Sequence, residues 1–222
     1  MNNYISVIKH TQLFSGIGES EIESMTNCLS MESHHYKKGD YVYRSGEFVR
    51  VISILAEGAL LIQQDDYWGN RSIVSSVSVG DIFGEAYAMQ NSHAVLNDVV
   101  ATDDSVVLTF DVGRLLTVCS NGCAFHSQII INLIQSLSSK NRMLTQKIDC
   151  MSKRTTRDKL TVYLSEQSQK AGSPSFAIPF NRQELADYLA VDRSAMSNEL
   201  CKMRDAGMLT FEKNRFTLLS SD

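Results

Sequence analysis

Arg193, Ser194, Ser197 and Asn198 fall within six residues of one another, and all four are side-chain types that read nucleic-acid bases. Arginine can donate two parallel hydrogen bonds to guanine O6 and N7. Asparagine can pair with adenine N6 and N7, and serine suits either base. On a helix these four positions share one side, because residues three and four apart are neighbours. Met196, Leu200 and Met203 recur at i, i+4 and i+7 and form the opposite, apolar side. The competing reading is an ordinary pair of amphipathic helices with no ligand.

The elements that must hold these residues are legible around them. Residues 180–205 read as two short helices joined by a tight turn. Asn181 is a good N-cap, and Glu184 stands three residues on, where its carboxylate can reach back to the cap N–H. Phe180 and Leu185 occupy the staple positions. Leu185, Tyr188 and Leu189 give the first helix an apolar face. Ala190-Val191 makes a break, Asp192 can cap the second helix with Val191 and Met196 as its staple, and Gly207 suits a helix stop. Met208 to Phe211 and Arg215 to Leu219 then read as a β-hairpin, with Asn214 at a turn position. A helix-turn-helix followed by a hairpin is a winged helix. A helix-turn-helix presents the start of its second helix to base edges. Arg182, Gln183, Lys202, Lys213 and Arg215 are the candidates for phosphate contact, the last two at the wing tip.

Composition bounds the rest. The chain has 222 residues, 43% hydrophobic and 21% charged, which suits a soluble globular protein of one large or two modest domains. No apolar run approaches the roughly 18–20 residues that span a bilayer. The start, Met-Asn-Asn-Tyr-Ile-Ser, lacks a signal peptide's regions. Both features point to the cytoplasm and away from a membrane partner. The net charge of −4 is unevenly spread. Residues 1–140 carry 8 Lys and Arg against 15 Asp and Glu, whereas residues 141–222 carry 13 against 10. The basic excess therefore accompanies the helix-turn-helix, and affinity for DNA should come from a focused patch. The five cysteines, Cys28, Cys119, Cys123, Cys150 and Cys201, are scattered and include no C-x-x-C. Cys119 and Cys123 could be neighbours on a helix, yet two thiols make no zinc or iron–sulfur site, so no metal is expected. Phosphate-loop, His-Glu-x-x-His and Gly-x-Ser-x-Gly motifs are absent, which argues against an enzyme.

In chain order, residues 4–30 read as short helices with Ile22, Met25 and Leu29 as an inward stripe. From about 36 to 110 the pattern becomes β-rich, with turns at Gly39-Asp40 and Gly80-Asp81. The expected strands are 41–43, 49–55, 58–63, 72–77, 95–101 and 105–110, closing into a roll or barrel. His34-His35 reads as solvated loop, and 65–70 as a polar hairpin tip. From about residue 121 to 151, Ile130, Leu133, Leu137, Leu144, Ile148 and Met151 form an a/d-like seam, interrupted where Lys140 or Asn141 falls. A helix of about 30 residues would run roughly 45 Å, too long to bury its stripe inside a small roll. Pairing with a second copy is the simplest use, and packing wholly on its own domain is the alternative. A further helix spans roughly 156–169. The fold class is α+β, in three parts: a sensing β-roll over 1–120, a dimerisation helix over 121–151, and a winged helix-turn-helix over 152–222.

That order of parts, together with Val79-Gly-Asp-Ile-Phe-Gly-Glu85 and Arg182-Gln-Glu-Leu-Ala…Asp192-Arg-Ser-Ala-Met-Ser…Leu200-Cys-Lys-Met-Arg204, resembles the CRP/FNR (catabolite activator) family of bacterial transcription regulators. The resemblance covers nearly the whole chain. It implies a cyclic-nucleotide-binding roll and a homodimer on an inverted-repeat operator in double-stranded DNA, with RNA polymerase as a candidate further partner. Arg193 matches the family's base-reading arginine and Ser194 its neighbour. Asn198 stands where arginine is common, which implies a different half-site.

The resemblance also places an effector pocket at Phe83, Gly84 and Glu85, with Val95, Leu96, Leu144 and Thr145 around it. In members that bind cyclic AMP, the glutamate takes a ribose hydroxyl and an Arg-Ser pair about ten residues later holds the phosphate. Here Val95-Leu96 stand in that place, and no Arg or Lys lies between Glu85 and Arg114. A buried phosphate without a cation is costly. Leu144-Thr145 replaces the Thr-Ser pair that meets adenine. These departures argue against cyclic AMP and for an apolar pocket. His93 and His126 are the candidates for a haem ligand, although a lone histidine is more often surface or hydrogen-bonded. No cysteine precedes Cys28, against an iron–sulfur sensor. The cofactor is therefore unknown. The expected function is a dimeric, sequence-specific DNA-binding regulator under an unidentified small-molecule effector. The alternative is a small-molecule or redox sensing module whose winged helix contacts protein; Cys119 and Cys123 read as ordinary buried cysteines, and the sequence does not say whether they are redox-active.

Overall fold

The computed structural model describes residues 4–89, 93–116 and 124–219. By their contacts they form two compact units. The first comprises residues 1–68 and 74–140, and the second 69–73 and 141–222.

The first unit is a roll of two four-stranded sheets with helices packed on one of them. Strands β1 (Glu32–Tyr36), β8 (Ser105–Asp111), β3 (Val51–Glu57) and β6 (Ile82–Phe83) lie side by side in that order. The second sheet runs β2 (Tyr41–Tyr43), β7 (Asp98–Ala101), β4 (Leu60–Asp65) and β5 (Arg71–Val77), and the first three residues of β5 count with the second unit. β3 and β8 are apolar almost throughout, since each is covered on both faces. Val42, Leu55, Leu60, Phe83, Val99 and Val107 fill the roll between the sheets. Outside it, α1 (Ile5–Lys9), α2 (Glu19–Cys28), α4 (Val112–Leu116) and the start of α5 (Ala124–Ser152) close a second core. Ile22, Met25 and Leu29 are buried there, as their spacing predicts.

Two strands depart from the sequence reading. His34-His35 is not a loop: both residues lie in β1, antiparallel to β8 opposite Val107 and Val106. β1 is polar because it is an edge strand whose side chains are largely in water, and its partner β8 supplies the ladder. The two-residue β6 pairs with β3 immediately before Glu85, so the Phe-Gly-Glu segment is fastened to the sheet. The β4–β5 hairpin ends in Tyr67 and Trp68, 95% and 82% exposed, in edge-to-face contact with ring centres 5.8 Å apart.

α5 is a single helix of 29 residues. Ile129 and Leu133 are buried in the roll's helical core, and Leu137 packs against it. Asn132 is buried beside them, with its amide donating to the carbonyls of Leu13 and Ser15, each at 2.8 Å. Leu133 is thus committed within the chain, which corrects its place in the expected seam. Ile131, Ile134, Leu144 and Ile148 are instead exposed, at 49–69%. Ile130 and Met151 are half-buried.

The second unit holds α6 (Thr156–Ala171), β9 (Ser175–Ala177), α7 (Arg182–Leu189), α8 (Arg193–Asp205), β10 (Leu209–Glu212) and β11 (Arg215–Leu218). Leu160 and Leu164 of α6, Leu185 and Leu189 of α7, and Met196, Leu200 and Met203 of α8 make its core. The hairpin β10–β11 is joined by β9, antiparallel to β11, so the wing is a three-stranded sheet rather than a hairpin alone. Phe176 and Phe216 stack across that pairing. At the wing turn the left-handed residue is Lys213, with φ 52°, while the Asn214 amide donates to the Ile178 carbonyl. Among the described residues no helix is long and apolar enough to cross a membrane.

Candidate functional site

The helix-turn-helix is built from local bonds that the sequence announces. Asn181 caps α7 by accepting from the N–H groups of Gln183 and Glu184, and Glu184 returns a bond from the Asn181 N–H at 2.7 Å. This reciprocal pair fixes the first residue of the helix. α7 ends at Ala190, which adopts φ 48°, a left-handed conformation that costs an alanine about 1 kcal/mol. The Lys159 ammonium donates to the Leu189 carbonyl at 3.0 Å, satisfying an orphan acceptor at that helix end. Asp192 then caps α8 by accepting from the Ala195 N–H and the Ser194 hydroxyl. Those hydrogen bonds hold its carboxyl below the usual aspartate range.

The four base-reading candidates lie on the first two turns of α8. Arg193, Ser194 and Asn198 are exposed and Ser197 is half-buried. Both serine hydroxyls donate inside the protein, Ser194 to Asp192 and Ser197 to the Arg193 carbonyl. Each keeps acceptor capacity for an outside donor. Behind this face, the Arg157 Nε of α6 meets the Glu199 carboxylate at 2.7 Å, and Glu199 is mostly buried. Arg157 and Glu199 thus fix α8 on α6, an ion pair across 42 residues that sequence reading did not identify.

The phosphate candidates divide. Gln183, Lys202, Lys213 and Arg215 are exposed. Gln183 donates to Asp187, and Lys202 stands 3.7 Å from Glu199. Arg182 is half-buried, its guanidinium 4.7 Å from the Phe211 ring centre and 5.0 Å from that of Phe216. Burial pushes its pKa down. Arg182 therefore packs α7 on the wing, with only its edge left for a phosphate.

An aromatic cluster of Tyr163, Phe180 and Tyr188 joins α6 to α7, with ring centres 4.9–6.4 Å apart. The Lys147 ammonium of α5 sits 4.1 Å above the Tyr188 ring, and burial pushes its pKa down to about 8. Cys150 is buried beside it, with its thiol donating to the Lys159 carbonyl.

In the roll, Gly84 has φ 81°, and a Cβ there would come within 3.3 Å of the Tyr43 ring and the Val51 carbonyl. Glycine is what lets the chain turn from β6 into α3 (Glu85–Ala88) and bury Glu85. The Glu85 Oε1 is 2.7 Å from the Lys140 ammonium of α5, which also donates to the Ile82 carbonyl at 2.6 Å. The sequence reading found no cation near Glu85, and the fold brings one from 55 residues downstream. Its one trace in the sequence is the polar break in the apolar pattern of α5. Val95 is buried, with both backbone polar groups bonded to the loop at Gly46 and Glu47, while Leu96 is 65% exposed. Leu144 and Thr145 are exposed, and Thr145 donates to the Asn141 carbonyl of its own helix. His93 is exposed. Cys119 and Cys123 and the His126 side chain lie outside the described residues. Among those described, no three acidic, cysteine or histidine side chains gather as a metal site.

A β-roll joined through a long helix to a winged helix-turn-helix defines a transcription-regulator architecture, and the comparisons agree part by part. The cyclic nucleotide-binding domain model matches residues 33–121, and the Crp-like helix-turn-helix model matches residues 158–222. The regulatory protein HlyX of Actinobacillus pleuropneumoniae is 20% identical over 211 residues, which is 93% of this chain and 85% of HlyX. Among solved structures, FixK2 of Bradyrhizobium japonicum superposes with a TM-score of 0.67 at 19% identity, covering 86% of this chain and 93% of that one. The c-di-GMP responsive global regulator CLP of Xanthomonas campestris gives 0.72 at 16% identity, covering 90% and 100%. The chain belongs to the CRP/FNR (catabolite activator) family of transcription regulators.

Proposed function

We propose that this protein is a homodimer that reads an inverted-repeat operator through Arg193, Ser194, Ser197 and Asn198. The observation that carries the reading is the exposed polar face at the start of α8, on a helix whose other side is fully buried. Gln183, Lys202, Lys213 and Arg215 flank it as phosphate contacts. The apolar residues Ile134 and Ile148, exposed and two heptads apart on α5, support a seam with a second copy, to which Ile131 and Leu144 add. A two-fold dimer would set two recognition helices one helical turn of DNA apart. RNA polymerase would be met by such a dimer bound at a promoter.

Selection from a random duplex pool at physiological salt tests the reading. The expected product is an inverted repeat with half-sites about 10 base pairs apart centre to centre. A folded dimer that selects no sequence, with or without cell metabolites added, would transfer the role of α8 to protein contact.

A further inference from the structure

Glu85 is 5% exposed, and its Oε2 has no hydrogen-bond partner. Its Oε1 and the Ile82 carbonyl converge on the Lys140 ammonium at 2.7 and 2.6 Å. A carboxylate beside a carbonyl is the donor-seeking, negative arrangement that suits an ammonium group. Lys140 reaches it from α5 with its own side chain 35% exposed, against 6% for Glu85. The lysine therefore enters from the solvent side, and the deep part of the arrangement belongs to β6 and α3. Two of the three ammonium hydrogens are used by these acceptors, and Oε2 remains beside them.

We propose that Glu85 and the Ile82 carbonyl form a binding seat for a primary alkylammonium group, which the chain fills with its own Lys140. Charge balance supports this occupant. A neutral ligand in its place would leave a buried carboxylate without a counter-ion, and an anionic one would add repulsion. The resemblance assigns Glu85 to a ligand hydroxyl, whereas the geometry assigns it to an amine. Filled from α5, the seat ties the roll to the long helix at Lys140, the last residue of the first unit, with no added molecule. The inference does not depend on DNA reading, since its readout is the stability of the full-length chain.

Chemical rescue tests it. Lys140→Ala removes three carbons and the nitrogen, the outline of n-propylammonium. With propylammonium near ten times its dissociation constant, the thermal midpoint of Lys140→Ala should rise by about 3 °C. Propanol, of the same shape without the charge, and propionate should have no such effect. Wild type and Lys140→Ala with Glu85→Gln should not respond to the amine. An equal response in all three proteins, or none in Lys140→Ala, would overturn the seat. Should Lys140→Ala not fold, a double-mutant cycle of Glu85→Gln with Lys140→Gln takes its place. Non-additive midpoints support the pairing, and additive ones overturn it.

Discussion

Glu85 and Arg193 are each the charged residue at the centre of a proposed site, and their surroundings are opposite. Glu85 is buried and already matched by Lys140. Arg193 is exposed and makes no ion pair among the described residues. The turns that carry the two differ in the same way. Glu85 follows a Gly84 held against Tyr43 and Val51, so its backbone is enclosed by the sheet. Arg193 follows an exposed aspartate cap, so it stands on a surface. A group that must meet a macromolecule keeps its hydrogen-bonding capacity in water, where binding can use it. A buried charge is costly unless a partner is enclosed with it, and here the chain supplies one for Glu85 Oε1.

Three measurements would break or sharpen this contrast. The largest expected effect is on stability in the roll. Lys140→Met leaves a buried carboxylate without its cation and should cost about 3 kcal/mol, read by urea denaturation. A loss below about 0.5 kcal/mol would put Glu85 in the same class as a surface charge. Next, Arg193→Ala should weaken binding to the selected operator by about 1–3 kcal/mol and leave the unfolding midpoint nearly unchanged. An Arg193→Ala protein that unfolds early but binds normally would reverse the assignment.

The smallest effect is a pH dependence at Lys147. Burial holds its ammonium near 8, below the 10.5 of a free lysine. Between those values the unfolded chain binds more protons than the folded one, so stability rises with pH across that window. Lys147→Met should flatten the rise, as followed by thermal midpoints from pH 7.5 to 10.5.

Much of the helix-turn-helix was legible because its determinants are local. Asn181 and Glu184 are three residues apart, and Met196, Leu200 and Met203 follow the helical period, so sequence spacing is spatial spacing. The roll was legible where strands carried their own apolar pattern, as in 105–110. β1, β6 and β9 were missed because they are defined by partners. His34-His35 looks like loop until β8 lies beside it, and β9 exists only because β11 accepts it. The seam of α5 was misjudged at Leu133 because Ile129-Ile-Ile-Asn-Leu-Ile134 is apolar nearly all round. Period alone does not say which side meets the chain's own roll. The Lys140–Glu85 pair was invisible for the same reason at longer range, as nothing in either segment names the other.

The Tyr67–Trp68 hairpin tip has an optical consequence. Trp68 is the chain's single tryptophan and stands almost entirely in water. Its emission should therefore be that of a solvated indole, and unfolding of either core should change its colour little. Whatever covers the tip will shift the emission to shorter wavelength without any label. The chain thus carries a fluorophore that is nearly silent about its own folding and responsive to what settles on one hairpin.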